Sequence, residues 1–364
     1  MSDTFAPRLL IDAHEDIAWN VRSFGRDYRR SALETRRREA DTPFPSYNGN
    51  TLLGKAEWLL GHVGIIFATT FVAPARRCMG PWDTQSYATA QQAYDLVNAQ
   101  LDVYHRLADE DAQIALVGTQ ADLDAVLKSW DGDQPLADRR IGLVPLMEGA
   151  DAIREPAEVE YWYERGVRIV GLAWEATRYA GGTHEPGPLT TLGHELIEAM
   201  ADTNMVLDLS HLAEEGYFQA VTRYEGPVIA SHANPYRFCP TTRGLTDHMI
   251  DVLAERGGVV GIVGYNAFLK PGWRKGDRRS EVGLLSIIDA IDHVCQVTGS
   301  AEHVGIGTDF DGGLGVEHVP AGLDTIADLQ KIVVLLAERG YTDEQIDAIF
   351  HGNWLRVLRT ALPE

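Results

Sequence analysis

Three histidines and three carboxylates stand where short apolar runs end. They are His14 and Asp16 in LLIDAHEDIA, Glu148 in IGLVPLMEGAD, His211 in MVLDLSHLAEEG, His232 in PVIASHANP and Asp309 in HVGIGTDFDGG. Imidazole and carboxylate together form a donor set for divalent cations. His14 and Asp16 are two residues apart, so on an extended segment both leave by one face and can meet the same ion. Glu148 has two carboxylate oxygens and can link two cations about 4 Å apart. His211 and His232 end successive runs, each after a serine. Neighbouring parallel strands lie about 4.8 Å apart, close enough for their end residues to share an ion. Asp309 suits a general base that later acts as an acid. Asp311, followed by Gly312 and Gly313, reads as a residue that shapes the loop.

The elements that must position these groups follow a strand–helix alternation at roughly 30-residue intervals. Candidate strands span 8–13, 62–69, 141–147, 167–173, 204–210, 227–231, 257–263 and 303–308, rich in Val, Ile and Leu. Unbroken apolar runs of this length fit parallel strands buried on both faces. A further run at 114–117 reads as an extra strand or part of a loop. Helices are predicted over 86–108, 120–129, 154–165, 190–202, 247–256, 283–298, 323–339 and 343–361. Eight such units predict an α/β fold, a (β/α)8 TIM barrel of the metal-dependent hydrolase type, with chemistry at the C-terminal ends of the strands. No linker divides the chain, so residues 1–364 are taken as one domain with a long loop excursion at about 20–60. Residues 22–38 of that excursion hold seven arginines against Asp27 and Glu34, which reads as a solvated helix face or a rim that attracts anions. The loop RYAGGTHEPGPLT suits a wall at the barrel mouth and brings His184 near the site. His62 and His303 precede strands and fall at the opposite end; the other histidines belong to helices or their flanks.

Composition excludes several partners. The formal net charge of −21 opposes binding to phosphate backbones or an anionic membrane surface. No apolar run approaches the length of a membrane span. Cys78, Cys239 and Cys295 are widely spaced and read as reduced thiols. With no signal peptide visible at the N-terminus, the expectation is a cytoplasmic protein.

With these pieces assembled, the chain resembles the membrane dipeptidase (renal dipeptidase) family, peptidase family M19 of the amidohydrolase superfamily, from about residue 8 to 358. The resemblance lies in DAHED (12–16), EGADAI (148–153), GVRIVGLAW (166–174), DLSH (208–211), SHANPYRFCPTTRGLTD (231–247), GTDFDG (307–312) and GNWLRV (352–357). It implies a binuclear zinc dipeptidase. His14 and Asp16 would hold one Zn2+, His211 and His232 the other, with Glu148 bridging. A hydroxide between the metals would attack the scissile carbonyl, and Asp309 would carry the proton to the leaving amine. Arg243, eleven residues after His232, matches the family arginine that binds the substrate carboxylate; a guanidinium pairs bidentately with that group. Tyr265 is expected in the same pocket. The resemblance also implies a homodimer and tolerance of a D-residue at the second position of the dipeptide.

One departure stands out. Where family members carry a histidine that binds the substrate carbonyl, this chain has Trp174. An indole N–H donates one hydrogen bond but cannot become cationic. Arg178 is near enough in sequence to replace the missing charge. Trp174 therefore leaves open activity on N-acyl amino acids, lactones or small amides. A non-catalytic metal- or ligand-binding barrel is the remaining alternative.

Overall fold

All eight apolar runs form strands in the computed structural model, which describes residues 6–364. They are β1 (Leu10–Glu15), β2 (Val63–Phe71), β3 (Ile141–Glu148), β4 (Ile169–Gly171), β5 (Val206–Asp208), β6 (Val228–Ile229), β7 (Val260–Ile262) and β8 (Val304–Ile306). Their order is β7-β8-β1-β2-β3-β4-β5-β6, with every neighbour parallel. The seam between β6 and β7 is closed by a parallel bridge, Ala230 to Val260, where Gly261 N donates to Ala230 O at 2.8 Å. The architecture is the predicted TIM barrel.

Residues along each strand alternate between two buried environments. Ile11, Ile65, Phe67, Val144, Leu146 and Ile169 share one cluster inside the barrel. Leu10, Ile66, Leu143, Met147, Val170 and Leu207 join a second cluster under the helices. Burial on both faces is why the runs are apolar throughout. The GNWLRV motif closes the interior. Trp354, from the last helix (Asn353–Ala361), joins the interior cluster and donates its indole N–H to Ile306 O at 3.1 Å. A Cβ on Gly305 would collide with that indole, so β8 needs glycine there.

Residues Ile114–Leu116 form the extra strand, paired with Ile141–Leu143 at the start of β3, where β4 does not reach. The predicted helices appear, but the stretch 343–361 is interrupted by a π turn at Ala348–Gly352. The helix Glu214–Arg223 lay outside the predictions; its Gly216, a poor helix former, masks the pattern. The excursion after β1 is not an open loop. It carries helices Ile17–Phe24, Ala32–Glu39, Phe44–Asn48 and Lys55–Leu60. Its basic run is partly internal. Arg26 is buried between Glu39 and Asp311, at 2.9 and 3.1 Å, and Arg36 donates to Thr51 O at 2.7 Å.

All three cysteines are free thiols. Among the described residues, no helix is long and apolar enough to cross a membrane.

Candidate metal centre

Two buried aspartates set the strand ends that carry the histidines. Asp12 accepts hydrogen bonds from Thr308 N at 2.8 Å and Thr308 Oγ1 at 2.6 Å, tying β1 to the end of β8. Asp208 accepts from Ser210 N at 3.0 Å, Ser231 N at 2.9 Å and Ser231 Oγ at 2.5 Å, tying β5 to the end of β6. His14 lies on β1 itself, while Asp16 directly follows the strand. His211 and Asp309 both adopt left-handed backbone conformations, with φ of 66° and 60°. Such strain in non-glycine residues clusters at functional sites, where surrounding structure holds it in place.

Glu148 sits at the centre of the group. Its Oε2 lies 3.6 Å from His14 Nε2, and that same nitrogen is 3.7 Å from Asp16 Oδ2. Its Oε1 faces the other way, 2.9 Å from His211 Nε2 and 3.4 Å from His232 Nε2. The two histidine nitrogens are 3.0 Å apart. Ligands of one tetrahedral ion, each about 2.1 Å from it, stand about 3.4 Å from one another. Ligand atoms of Glu148, His211 and His232 lie within 4.8 Å of one another, as do those of His14, Asp16 and Asp309. The residues therefore fit a cation on each side of Glu148. His14 Nε2 and Asp16 Oδ1 are buried with no hydrogen-bond partner, which a protein tolerates poorly unless something else occupies the space.

The rings are held by their other nitrogens. His211 Nδ1 is 2.7 Å from Thr183 Oγ1, and His232 Nδ1 is 2.8 Å from Ser231 Oγ. Ser231 Oγ also lies 3.5 Å from His14 Nδ1. Partners of this kind fix tautomer and ring orientation in metal sites. A third candidate cluster, of His14, Asp208 and His232, lies around this serine. Hydrogen bonding already engages the Asp208 carboxylate there.

The electrostatics of the bare site are lopsided. Burial opposes charge on His14, but Glu148, then Asp16 and Asp309, outweigh it and hold its pKa up at about 9. Burial, then Arg243, pushes His211 down to about 4. Burial and the charge on His14 push His232 down as well. Burial raises Glu148, yet His14, His211 and His232 outweigh that and hold it well below the usual carboxylate range. Burial raises Asp309 to about 7 against the pull of His14. Positive charge placed among these carboxylates would relieve their crowding.

The groups open into a cleft walled by Asp16, Trp19, Phe71, Met79, Glu148, Trp174, His211, Asp309, Gly312 and Gly313. Gly312 is required: a Cβ there would collide with carboxylate oxygens of Asp309 and Asp16. Trp174 packs edge-on against Phe71, ring centroids 5.0 Å apart, and sits 6.4 Å from His211. Arg243 and Tyr265 are not among these wall residues. Arg243 is buried, donates from Nη2 to His232 O and leaves Nε unbonded. Tyr265 packs edge-on against Phe268, 5.0 Å between centroids. Burial and the nearby Asp309 charge push its hydroxyl up to about 12.

One sequence expectation needs correction. Arg178 does not replace the missing charge at Trp174; it turns to Asp151, at 3.3 Å, and to the carbonyls of Ile153 and Arg154. His184 follows Thr183, the residue that reaches His211, but its own Nδ1 meets the buried Glu175 at 2.5 Å, and its side chain is 64% exposed. Asp12, Asp208 and Thr183 went unassigned in the sequence. The signal for the first two was visible: DAHED and DLSH each begin with a carboxylate where a buried strand should be apolar. Thr183 had none, because it reaches His211 across 28 residues.

The chain matches the membrane dipeptidase family, peptidase family M19, over residues 4–362. It belongs to that family. A protein of Klebsiella pneumoniae encoded in the pqqA 5′ region, itself uncharacterized, is 32% identical over 64% of this chain and 87% of its own length. Dipeptidase aclJ of Aspergillus oryzae is 31% identical over 60% of this chain; the match spans 51%, about half, of the Aspergillus protein. A metallo peptidase from Rhodobacter sphaeroides, liganded with a phosphinate mimic of the dipeptide L-Ala-D-Ala, shares the fold. Its TM-score is 0.76 at 21% identity, covering 98% of this chain and 100% of that one. This member of the membrane dipeptidase family therefore has a TIM barrel and a cluster of His, Glu and Asp suited to metal.

Proposed function

We propose that this family member is a dipeptidase that works with two divalent cations, zinc by its family resemblance. One is held by His14 and Asp16, the other by His211 and His232, and Glu148 lies between them. The observation that carries this reading is the orientation of Glu148, whose two oxygens face separate histidine groups 3.6 and 2.9 Å away. When bound, such cations polarise a carbonyl and make water a stronger nucleophile near neutral pH.

The remaining steps fall to the chain's own groups. Asp309 borders the cleft beside the His14 and Asp16 cluster, where a carboxylate can take a proton from water and pass it on. It takes the proton of the attacking water and returns it to the leaving nitrogen. The buried guanidinium of Arg243 feels the charges of Asp309 and Glu148, but among the described residues it makes no ion-pair contact of its own. A buried cation calls for an anionic partner, and the C-terminal carboxylate of a dipeptide supplies it. Trp174 forms part of the cleft wall, and Tyr265 packs on Phe268, over whose ring the Arg243 guanidinium lies. The Rhodobacter protein's dipeptide mimic ends in a D-residue, which supports testing D-residues at the second position.

The test is a panel of L,L and L,D dipeptides with purified, cation-loaded protein, following release of free amino acids. Turnover of dipeptides but not of tripeptides is expected. No turnover of any dipeptide, with the cations bound, would overturn the reading.

A further inference from the structure

The cleft has two unlike halves. Its floor is the cation cluster; its flank is Trp19, Phe71, Met79 and Trp174. Trp19, Phe71 and Trp174 belong to one small apolar cluster, with Trp19 and Phe71 centroids 6.5 Å apart. None of these four side chains carries a charge.

This flank is built rather than incidental. Met79 is presented by the segment between Ala73–Pro74 and Ser86–Tyr87, two short strands that pair with each other. Within it, Met79 N donates to Asp83 Oδ2 at 3.2 Å. Trp82 stacks on Tyr47 at 4.8 Å and on Phe24 at 5.5 Å. Arg76 pairs with Glu185 at 2.5 Å and Arg77 with Glu175 at 3.5 Å, joining this lip to the loop after β4. Met79 is nonetheless 47% exposed. Met79 does not stand alone: with Trp19, Phe71 and Trp174 it lines one apolar flank of the cleft, the kind of wall that receives an apolar ligand group.

The barrel order fixes which end of a substrate meets this flank. Phe71 ends β2 and Met79 follows it, Trp19 follows β1 and Trp174 follows β4, whereas Arg243 follows β6. In a ring of eight, β2 and β6 are diametrically opposed. A substrate with its carboxylate on Arg243 and its scissile carbonyl over Glu148 must direct its acyl side towards β2. We infer that Trp19, Phe71, Met79 and Trp174 select a bulky apolar group on the acyl side of the scissile bond, with Met79 as the specificity-determining residue at its outer edge. This rests on the hydrolase reading given above. Two sources share that chemistry: the side chain of an apolar N-terminal residue, and the acyl chain of an N-acyl amino acid.

The experiment measures kcat/KM for X-D-Ala with X as Gly, Asp, Leu or Phe, and for N-(3-phenylpropanoyl)-D-Ala, the counterpart of Phe-D-Ala without its amine. Leu or Phe should exceed Gly by about tenfold or more, the scale on which apolar pockets discriminate. Met79→Glu should lower the Phe/Gly ratio by a similar factor. That ratio is internal to one variant, so impaired folding does not move it. Turnover of the phenylpropanoyl compound comparable to Phe-D-Ala assigns the acyl chain as a source; much slower turnover assigns the peptide. Equal rates for Gly, Asp and Phe, or a ratio unchanged in Met79→Glu, would overturn the inference while leaving the hydrolase reading intact. Should no compound turn over, the hydrolase reading fails instead. Tryptophan fluorescence titrated with phenylalanine amide and glycine amide then decides the flank: tighter binding of the former, weakened by Met79→Glu, supports it, and equal binding overturns it.

Discussion

Arg26 Nη1 lies 3.1 Å from Asp311 Oδ2, and this buried pair joins the excursion after β1 to the turn that carries Asp309. Tyr28 donates to the same carboxylate at 2.7 Å and Leu52 N at 2.9 Å, while Thr51 Oγ1 donates as well. Asn20 and Asn48 donate to the Asp311 carbonyl at 2.9 and 3.0 Å. The long excursion thus clamps the turn from outside the cleft.

Arg26→Met leaves the Asp311 carboxylate buried without its cation. Removing one partner of a buried pair costs about 3–5 kcal/mol. We expect a fall in the thermal midpoint of about 5 °C, with part of the loss recovered when Asp311→Asn is added. Calorimetric scans of the single and double variants check this; an unchanged midpoint in Arg26→Met would contradict it.

Gly312→Ala tests the close approach of that turn to the carboxylates. The added methyl group collides with Asp309 and Asp16 oxygens, so one of them must move. Positioning errors of about 1 Å can cost on the order of a hundredfold in rate. A loss of that order in kcat is expected, with weakened cation binding on the His14 side. Near-normal kcat and cation affinity would show that the turn accommodates a side chain.

Asp309→Asn keeps the shape and removes the carboxylate proposed to carry the proton. General acid–base groups contribute about 10²–10⁴-fold, so turnover should fall by at least that lower factor while cation content stays at the wild-type level. Activity within a few-fold of wild type would remove Asp309 from the proton path.

Much of this was legible beforehand. Unbroken apolar runs such as VGIIFATTF marked strands buried on both faces, and residues at their ends gathered around Glu148 as their types suggested. The strand predicted over 227–231 is reduced to Val228–Ile229, because beyond it Ala230 holds only an isolated bridge to Val260. The excursion was opaque for a physical reason. Its helices are short, and Arg26 looks like any surface arginine until Asp311, 285 residues away, is brought beside it. Arg178 illustrates the limit of sequence proximity, since Asp151 claims it first.

The charge balance at His14 predicts a pH dependence. In the cation-free protein its pKa is about 9 against an ordinary 6.5. A raised histidine pKa stabilises the fold fully below 6.5, and that contribution is lost as pH rises through about 9. Cation-free protein should therefore lose stability between these values, on the order of 3 kcal/mol for a shift of this size. Binding a cation requires the neutral ring, so uptake in the same window releases a proton and tightens by about tenfold per pH unit. Thermal midpoints of chelated and cation-loaded protein at pH 7 and 9 check the sign. The gap between them should widen at pH 9; a gap that narrows would contradict the assignment of His14 as a ligand.

The central claim is that Glu148 stands between two cations. Titrating chelated protein with Zn2+ in a calorimeter tests it most directly. Two equivalents should bind to the wild-type chain, and Glu148→Gln, which keeps the size but loses the negative charge, should weaken both. One equivalent or none in the wild type, or two undiminished sites in Glu148→Gln, would contradict the account.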